Sequence, residues 1–141
     1  SHNGEIMTHS DIFSLVLSLN IIIWSHWIAD FVFQLDRMAR NKSKDNNALM
    51  SHIRWYTFIL FLGSLLLFKG DFVLAGLFAV VTGIVHYYVD YVTSRMTSKL
   101  HAEGKMGSDK FPNLGFFAII GLDQAIHMST LMTTYLIMVN I

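Results

Sequence analysis

The sequence predicts an all-α, integral membrane protein whose four helices run up, down, up and down in a single bundle. Three observations carry this. Hydrophobic residues make up 53 % of the 141 and charged residues only 14 %, with a mean hydropathy of +0.47, where a soluble domain carries roughly 25 % charge. Four apolar stretches each approach the roughly 20 residues that a helix needs to cross a bilayer. The links between them are short, which sets consecutive helices side by side in opposite directions. Strands are not expected, because in lipid a helix satisfies its backbone groups within itself.

In chain order, residues 1–11 form a polar N-terminal segment, of which 1–6 reads as an appended stretch before a natural start at Met7. Residues 12–141 then form one transmembrane domain. The first helix is predicted over 12–35 and lacks a signal-peptide cleavage pattern. A polar link from 36 to 47 carries Arg37, Arg40, Lys42 and Lys44 and reads as a loop or a short surface helix. The second helix, over 49–68, is polar only at its start, at His52 and Arg54, and turns apolar from Tyr56. Lys69-Gly70-Asp71 is a tight turn. The third helix, over 72–100, is apolar to Val92 and continues as a polar helix through Arg95 and Lys99, since no glycine or proline stops it. Gly104, Gly107 and Pro112 mark a loop before the fourth helix, over 114–139.

Basic residues concentrate in the first and third links, Lys69 is alone in the second, and residues 1–11 have none. By the positive-inside rule both termini belong on the non-cytoplasmic side. A formal net charge of zero gives no electrostatic reason for a nucleic-acid partner. The absence of cysteine excludes disulfides, thiolate metal sites and cysteine nucleophiles, so any metal must take nitrogen and oxygen ligands.

Within the apolar segments one arrangement recurs. His26 and Asp30 are four residues apart, His86 and Asp90 repeat the order, and Asp123 and His127 reverse it. Residues at i and i+4 share a helix face about 6 Å apart along the axis. The first and third helices run inward and the fourth outward, so the reversal restores a common layering: His26, His86 and His127 at one depth, and Asp30, Asp90 and Asp123 one turn nearer the cytoplasm, with His52 on the rim. Burying such groups is costly without partners.

Three systems use a layered His/Asp cluster. One or two divalent ions would take these residues as ligands, zinc by default and manganese, iron or nickel with the same donors. Haem could take paired histidines, which leaves the aspartates without a role. Proton or cation transfer needs polarity through both halves of the bundle, and the outer half offers little. Against all three stands the reading that each pair is a buried hydrogen bond fixing helix register. Around the cluster, Gln34 and Gln124 would orient a ligand or lie at the membrane surface. Tyr56 would donate to a substrate oxygen or anchor at the interface, and Arg54 and Lys42 would hold a phosphate or reflect topology alone. Gly63, Gly76, Gly83 and Gly121 are candidates for close helix approach.

The motifs H-x3-D-F-x2-Q at His26, Asp30, Phe31 and Gln34, H-x3-Y at His52 and Tyr56, H-x3-D at His86 and Asp90, and D-Q-x2-H at Asp123, Gln124 and His127, with Asn41 and Lys42 between, resemble an uncharacterised family of small bacterial and phage membrane proteins. The resemblance covers nearly the whole chain and implies the fold and the site without a reaction. More loosely, the chain is similar to membrane-bound metal-dependent hydrolases. It departs from the family pattern at Thr93, where a lysine often stands three residues after the third-helix aspartate.

The function expected is metal-dependent hydrolysis of a lipid-like ester or phosphoester, with a membrane lipid or amphiphile as substrate. His26, His86 and His127 are the imidazole ligands, and Asp30, Asp90 and Asp123 are bridging ligands or the base. His52 is a further ligand or an acid at the leaving group. An oligomer is compatible with this. The alternatives are a metal-stapled scaffold or partner-binding protein without catalysis, and a haem-binding electron carrier.

Overall fold

The structure, a computed structural model, describes residues 4, 6–34, 36–107 and 110–141, without the side chains of 36–38. The reading of residues 1–6 as an appended stretch therefore falls largely outside the described residues. Those described hold helices and no strand. Helix α1 is His9–Trp27, opened by a capping box in which the Asp11 N–H donates to Thr8 Oγ1 at 3.2 Å and the Thr8 N–H to Asp11 Oδ2 at 3.0 Å. Helix α2 is the short Asp36–Asn41. Helix α3 is Asn46–Leu67, and the Asp45 carboxylate accepts from the Asn47 N–H at its start. It ends where Lys69 and Gly70 take φ of 53° and 82° and the Gly70 N–H donates to the Leu65 carbonyl at 2.7 Å. Helix α4 is Phe72–Ala102, capped by Asp71. Helix α5 is Phe116–Val139.

The first helix departs from the prediction over 12–35. After Trp27 the chain widens into a π turn, Ile28–Val32, closed by the Phe33 N–H on the Ile28 carbonyl at 3.1 Å. Such turns concentrate at functional sites. This one carries Asp30, whose side chain reaches across to His52 and His86. No glycine or proline marks it, so composition could not have located it.

Three helical segments, His9–Val32, Asn46–Leu67 and Phe72–Ala102, are long and apolar enough to cross a membrane. At 1.5 Å per residue α4 is about 46 Å long, beyond the roughly 30 Å of a hydrocarbon core, and its polar last turns extend past it. Helix α5 has 24 residues and carries Asp123, Gln124 and His127 in its first half.

Helix α3 packs on α4, α4 on α5 and α1 on α3, while α1 and α5 touch least. Ile22, Tyr56, Leu60, Leu67, Phe78, Leu131 and Tyr135 form the apolar core. Outward, the helices expose Val16, Leu17, Leu62, Leu66, Leu77, Val80, Ile84, Leu136 and Ile137. Large apolar side chains thus face out while His26, His52, His86, His127, Asp30 and Asp90 are buried. Two glycines make close approaches: a Cβ on Gly63 would stand 2.8 Å from Ser25 Cβ, and one on Gly83 would meet Thr57 Oγ1. At Gly121 nothing lies within 4 Å, and at Gly76 only the Phe61 ring edge, so neither sits at such a contact.

Candidate metal centre

Helix geometry alone brings His26 and Asp30, His86 and Asp90, and Asp123 and His127 onto inward faces. The bundle then joins the pairs across helices. His52 Nε2 lies 3.0 Å from Asp30 Oδ1 and 3.4 Å from Asp90 Oδ2. His86 Nε2 lies 3.4 Å from Asp30 Oδ1 and 3.3 Å from Asp90 Oδ2. The two imidazole nitrogens themselves are 3.3 Å apart. On the far side of Asp90, His127 Nε2 is 3.0 Å from Oδ1, and the same nitrogen is 3.2 Å from Asp123 Oδ1. Asp90 therefore turns one oxygen to His52 and His86 and the other to His127. All of these histidines, with Asp30 and Asp90, are buried.

Two groups of side chains offer ligand atoms within 4.8 Å of one another: Asp30, His52, His86 and Asp90, and Asp30, Asp123 and His127. They could hold a metal ion. Nitrogen and carboxylate donors of this kind suit zinc and its first-row neighbours.

His26 has a different setting. Tyr56 Oη lies 2.9 Å from its Nδ1 and Gln124 Oε1 lies 2.9 Å from its Nε2, while Gln124 Nε2 donates to Asp30 Oδ2 at 3.3 Å and to Asp123 Oδ2 at 3.0 Å. Carboxylates can only accept, which orients the amide. The amide oxygen must then accept from the His26 Nε2–H, leaving Nδ1 to accept from the tyrosine hydroxyl. Tyr56, His26 and Gln124 thus form one directed chain of hydrogen bonds ending on two of the aspartates. Asp123 accepts a further hydrogen bond from Thr93 Oγ1.

Above the carboxylates opens a cavity of about 600 Å³ with Asp30, Asp90, Asp123 and Gln124 in its lining. Lys42 enters it from the α2–α3 link and places Nζ 3.1 Å from Asp90 Oδ2. Burial pushes the Lys42 ammonium down, but the Asp90 and Asp30 carboxylates outweigh it and hold the group above its usual range. Arg40 and Lys44 line the same cavity, as do Thr93, Ser94, Thr97 and Ser98 from α4.

The sequence model of one family, proteins of unknown function designated DUF3307, matches residues 16–141. The chain belongs to the DUF3307 family. No curated protein and no solved structure matches it.

In this DUF3307 protein the predicted residues come together, with differences of role. The rings of His26, His86 and His127 stand within 6.0 Å of one another, His86 and His127 stacked at 3.8 Å. His52, expected on the rim, lies at the centre of the cluster, because its helix faces both Asp30 and Asp90. Tyr56, expected at a substrate or the interface, is buried against His26 and His86. Gln124 touches the aspartates directly, whereas Gln34 lines the cavity with its Oε1 unpartnered among the described residues. Ser94 was not singled out by its sequence, yet it continues the spacing of His86 and Asp90 by four more residues, and extending that period would have found it.

Proposed function

We propose that the chain is an integral membrane protein, its four long helices antiparallel across a bacterial inner membrane, and that the His/Asp cluster is a metal centre for hydrolysis. The outward apolar faces and buried ionisable groups support the membrane reading. Basic residues of the α1–α3 and α4–α5 links support a cavity mouth on the cytoplasmic side and termini on the other.

One observation carries the metal. Ligand atoms held at about 2.0–2.1 Å around a tetrahedral ion stand about 3.3–3.4 Å apart. The contacts of His52 Nε2 and His86 Nε2 with Asp30 Oδ1, with Asp90 Oδ2 and with each other run from 3.0 to 3.4 Å. Without an ion, one imidazole can donate its Nε2–H to the other, but the accepting nitrogen then turns its lone pair to the same two carboxylates. Zinc and its first-row neighbours suit these donors, and His127 with Asp123 and Asp30 provides for a second ion. His26 then serves as a positioning residue.

A divalent ion there would supply Lewis acidity for cleaving an ester or phosphoester. The chain's own groups complete the chemistry. Asp123, the most exposed of the three aspartates and fixed by Thr93 and Gln124, is placed to take the proton of an attacking water. His52 acts as a ligand, since it does not line the cavity.

A second reading rests on His52 Nδ1 and His86 Nδ1, which are buried and unpartnered among the described residues. A metal-bound imidazole ordinarily passes its other N–H to an acceptor, so a metal-free, hydrogen-bonded staple competes. Elemental analysis of the full chain purified in detergent decides. One or two zinc-class ions per chain are expected, with hydrolysis of lipid ester or phosphoester lost on chelation and restored by the ion. A protein that folds and retains its helical spectrum with no bound ion would overturn the metal centre.

A further inference from the structure

The cavity above the carboxylates has three walls of different chemistry. One is cationic, with Arg40, Lys42 and Lys44. The second is a stripe of hydroxyls on α4, where Ser94, Thr97 and Ser98 follow the helical spacing and so face the cavity together. Ser94 is 7 % exposed, and its Oγ has no hydrogen-bond partner among the described residues. A buried hydroxyl left unpaired beside an opening is costly unless something else satisfies it. The third wall is apolar: Phe31 from the π turn and Phe116 and Ile120 from α5. That wall lies between the π turn and α5, beyond the α1–α5 seam, the least contacted of the helix seams.

Resting on the metal-centre reading, we propose that this cavity takes the phosphate group of a single- or double-chain lipid phosphoester. Its anionic oxygens are held by Lys42, Arg40 and the Ser94 hydroxyl, and its acyl chain leaves past Phe31 and Phe116 through the α1–α5 seam. Asp30, Asp90 and Asp123 line the same cavity, so the cations are left over only once an ion takes the carboxylates, and a carboxylic ester with its neutral carbonyl would then offer them nothing to neutralise. A phosphate carries the charge and the acceptor oxygens that both polar walls lack. The lysine already reaches Asp90 from the cavity side, between the substrate space and the cluster.

Calorimetric titration of the metal-loaded full chain in detergent separates the sources of phosphate. The probes are inorganic phosphate, a lauroyl glycerol phosphate monoester, and the same monoacylglycerol without its phosphate, each titrated beside an elemental analysis. The phosphorylated lipid should bind at least about tenfold tighter than either of the others, since only it uses both the charged and the apolar wall. Lys42→Ala should weaken both phosphate probes by about tenfold or more. Because that change also disturbs Asp90, Ser94→Ala serves as the second variant: it breaks no internal hydrogen bond and should weaken phosphate binding by about threefold to tenfold at unchanged metal content. Phe116→Ala should weaken the lipid and leave inorganic phosphate unchanged. Equal binding of the lipid with and without phosphate, in a metal-loaded protein, overturns the inference and leaves the metal centre standing. Inorganic phosphate binding as tightly as the lipid overturns the lipid part. A protein without metal fails at the earlier reading instead.

Discussion

Ser64 and Thr82 lie among apolar neighbours, His52 and His86 at the polar end of the same two helices, and all four are buried. They are satisfied in opposite ways. Ser64 Oγ donates to the Leu60 carbonyl and Thr82 Oγ1 to the Phe78 carbonyl, each at 2.7 Å and one turn back in its own helix. Such groups ask nothing of a neighbouring helix. At the polar end the contacts also cross between helices, with Asp30 of the π turn meeting His52 of α3 and His86 of α4, and Asp90 of α4 meeting His127 of α5 and Lys42. The apolar end is closed in itself, whereas the polar end converges on a centre that its own protons cannot fully satisfy. The first should tolerate change in proportion to lost packing, and the second should fail as a unit.

The largest effect expected is at Asp90, whose two oxygens face His52 and His86 on one side and His127 on the other. Asp90→Asn keeps the shape and removes the charge. Bound metal should fall to background and hydrolysis by well over the roughly 100-fold that loss of an outer partner brings, read by elemental analysis and turnover. Metal retained in Asp90→Asn would break the comparison. Chelation of the unaltered chain comes next. Where free ion exceeds its dissociation constant a thousandfold, binding stabilises the fold by about 4 kcal/mol, so chelator should lower the thermal midpoint of the parent and leave that of Asp90→Asn unchanged.

At the apolar end the scale is set by packing. Leu131→Ala, at a side chain 1 % exposed, should cost about 2–4 kcal/mol. Gly63→Ala forces a Cβ against Ser25 Cβ at 2.8 Å and should cost about 1–3 kcal/mol by moving α1 from α3. Both variants should keep their full metal content. Loss of ions in either would show that the two ends are not separable.

How far these ends were legible in the sequence follows from the same contrast. Apolar runs and caps are local signals, so three of the four predicted helices lie within a few residues of their places, and the link after Asn41 ends in the Asp45 cap of α3. The pairs one helical turn apart were legible because their spacing repeats. The π turn was not, since a one-residue slip in hydrogen bonding leaves no mark in composition. Nor could spacing show that Tyr56 and Gln124 enclose His26, because those contacts run between helices 30 and 98 residues apart. Lys42 stood between holding a phosphate and reflecting topology alone for the same reason: a charged residue in a link gives no sign that the link folds back over the cluster.

Tyr56 belongs to both ends, and the smallest effect should appear there. Its ring is part of the apolar core with Leu60 and Phe78, while its hydroxyl is the first donor in the chain through His26 and Gln124 to Asp30 and Asp123. Tyr56→Phe keeps the ring, so packing should be unchanged. It leaves His26 Nδ1 unpaired at a cost of about 1 kcal/mol. If His26 only positions the carboxylates, metal content should remain full and turnover fall by about tenfold, because the imidazole can rotate and release Gln124. If His26 is itself a ligand, its freed nitrogen should leave turnover intact or bind metal more tightly. Stability, ion content and turnover measured on this one variant therefore locate the boundary between the two ends at the level of a single hydroxyl.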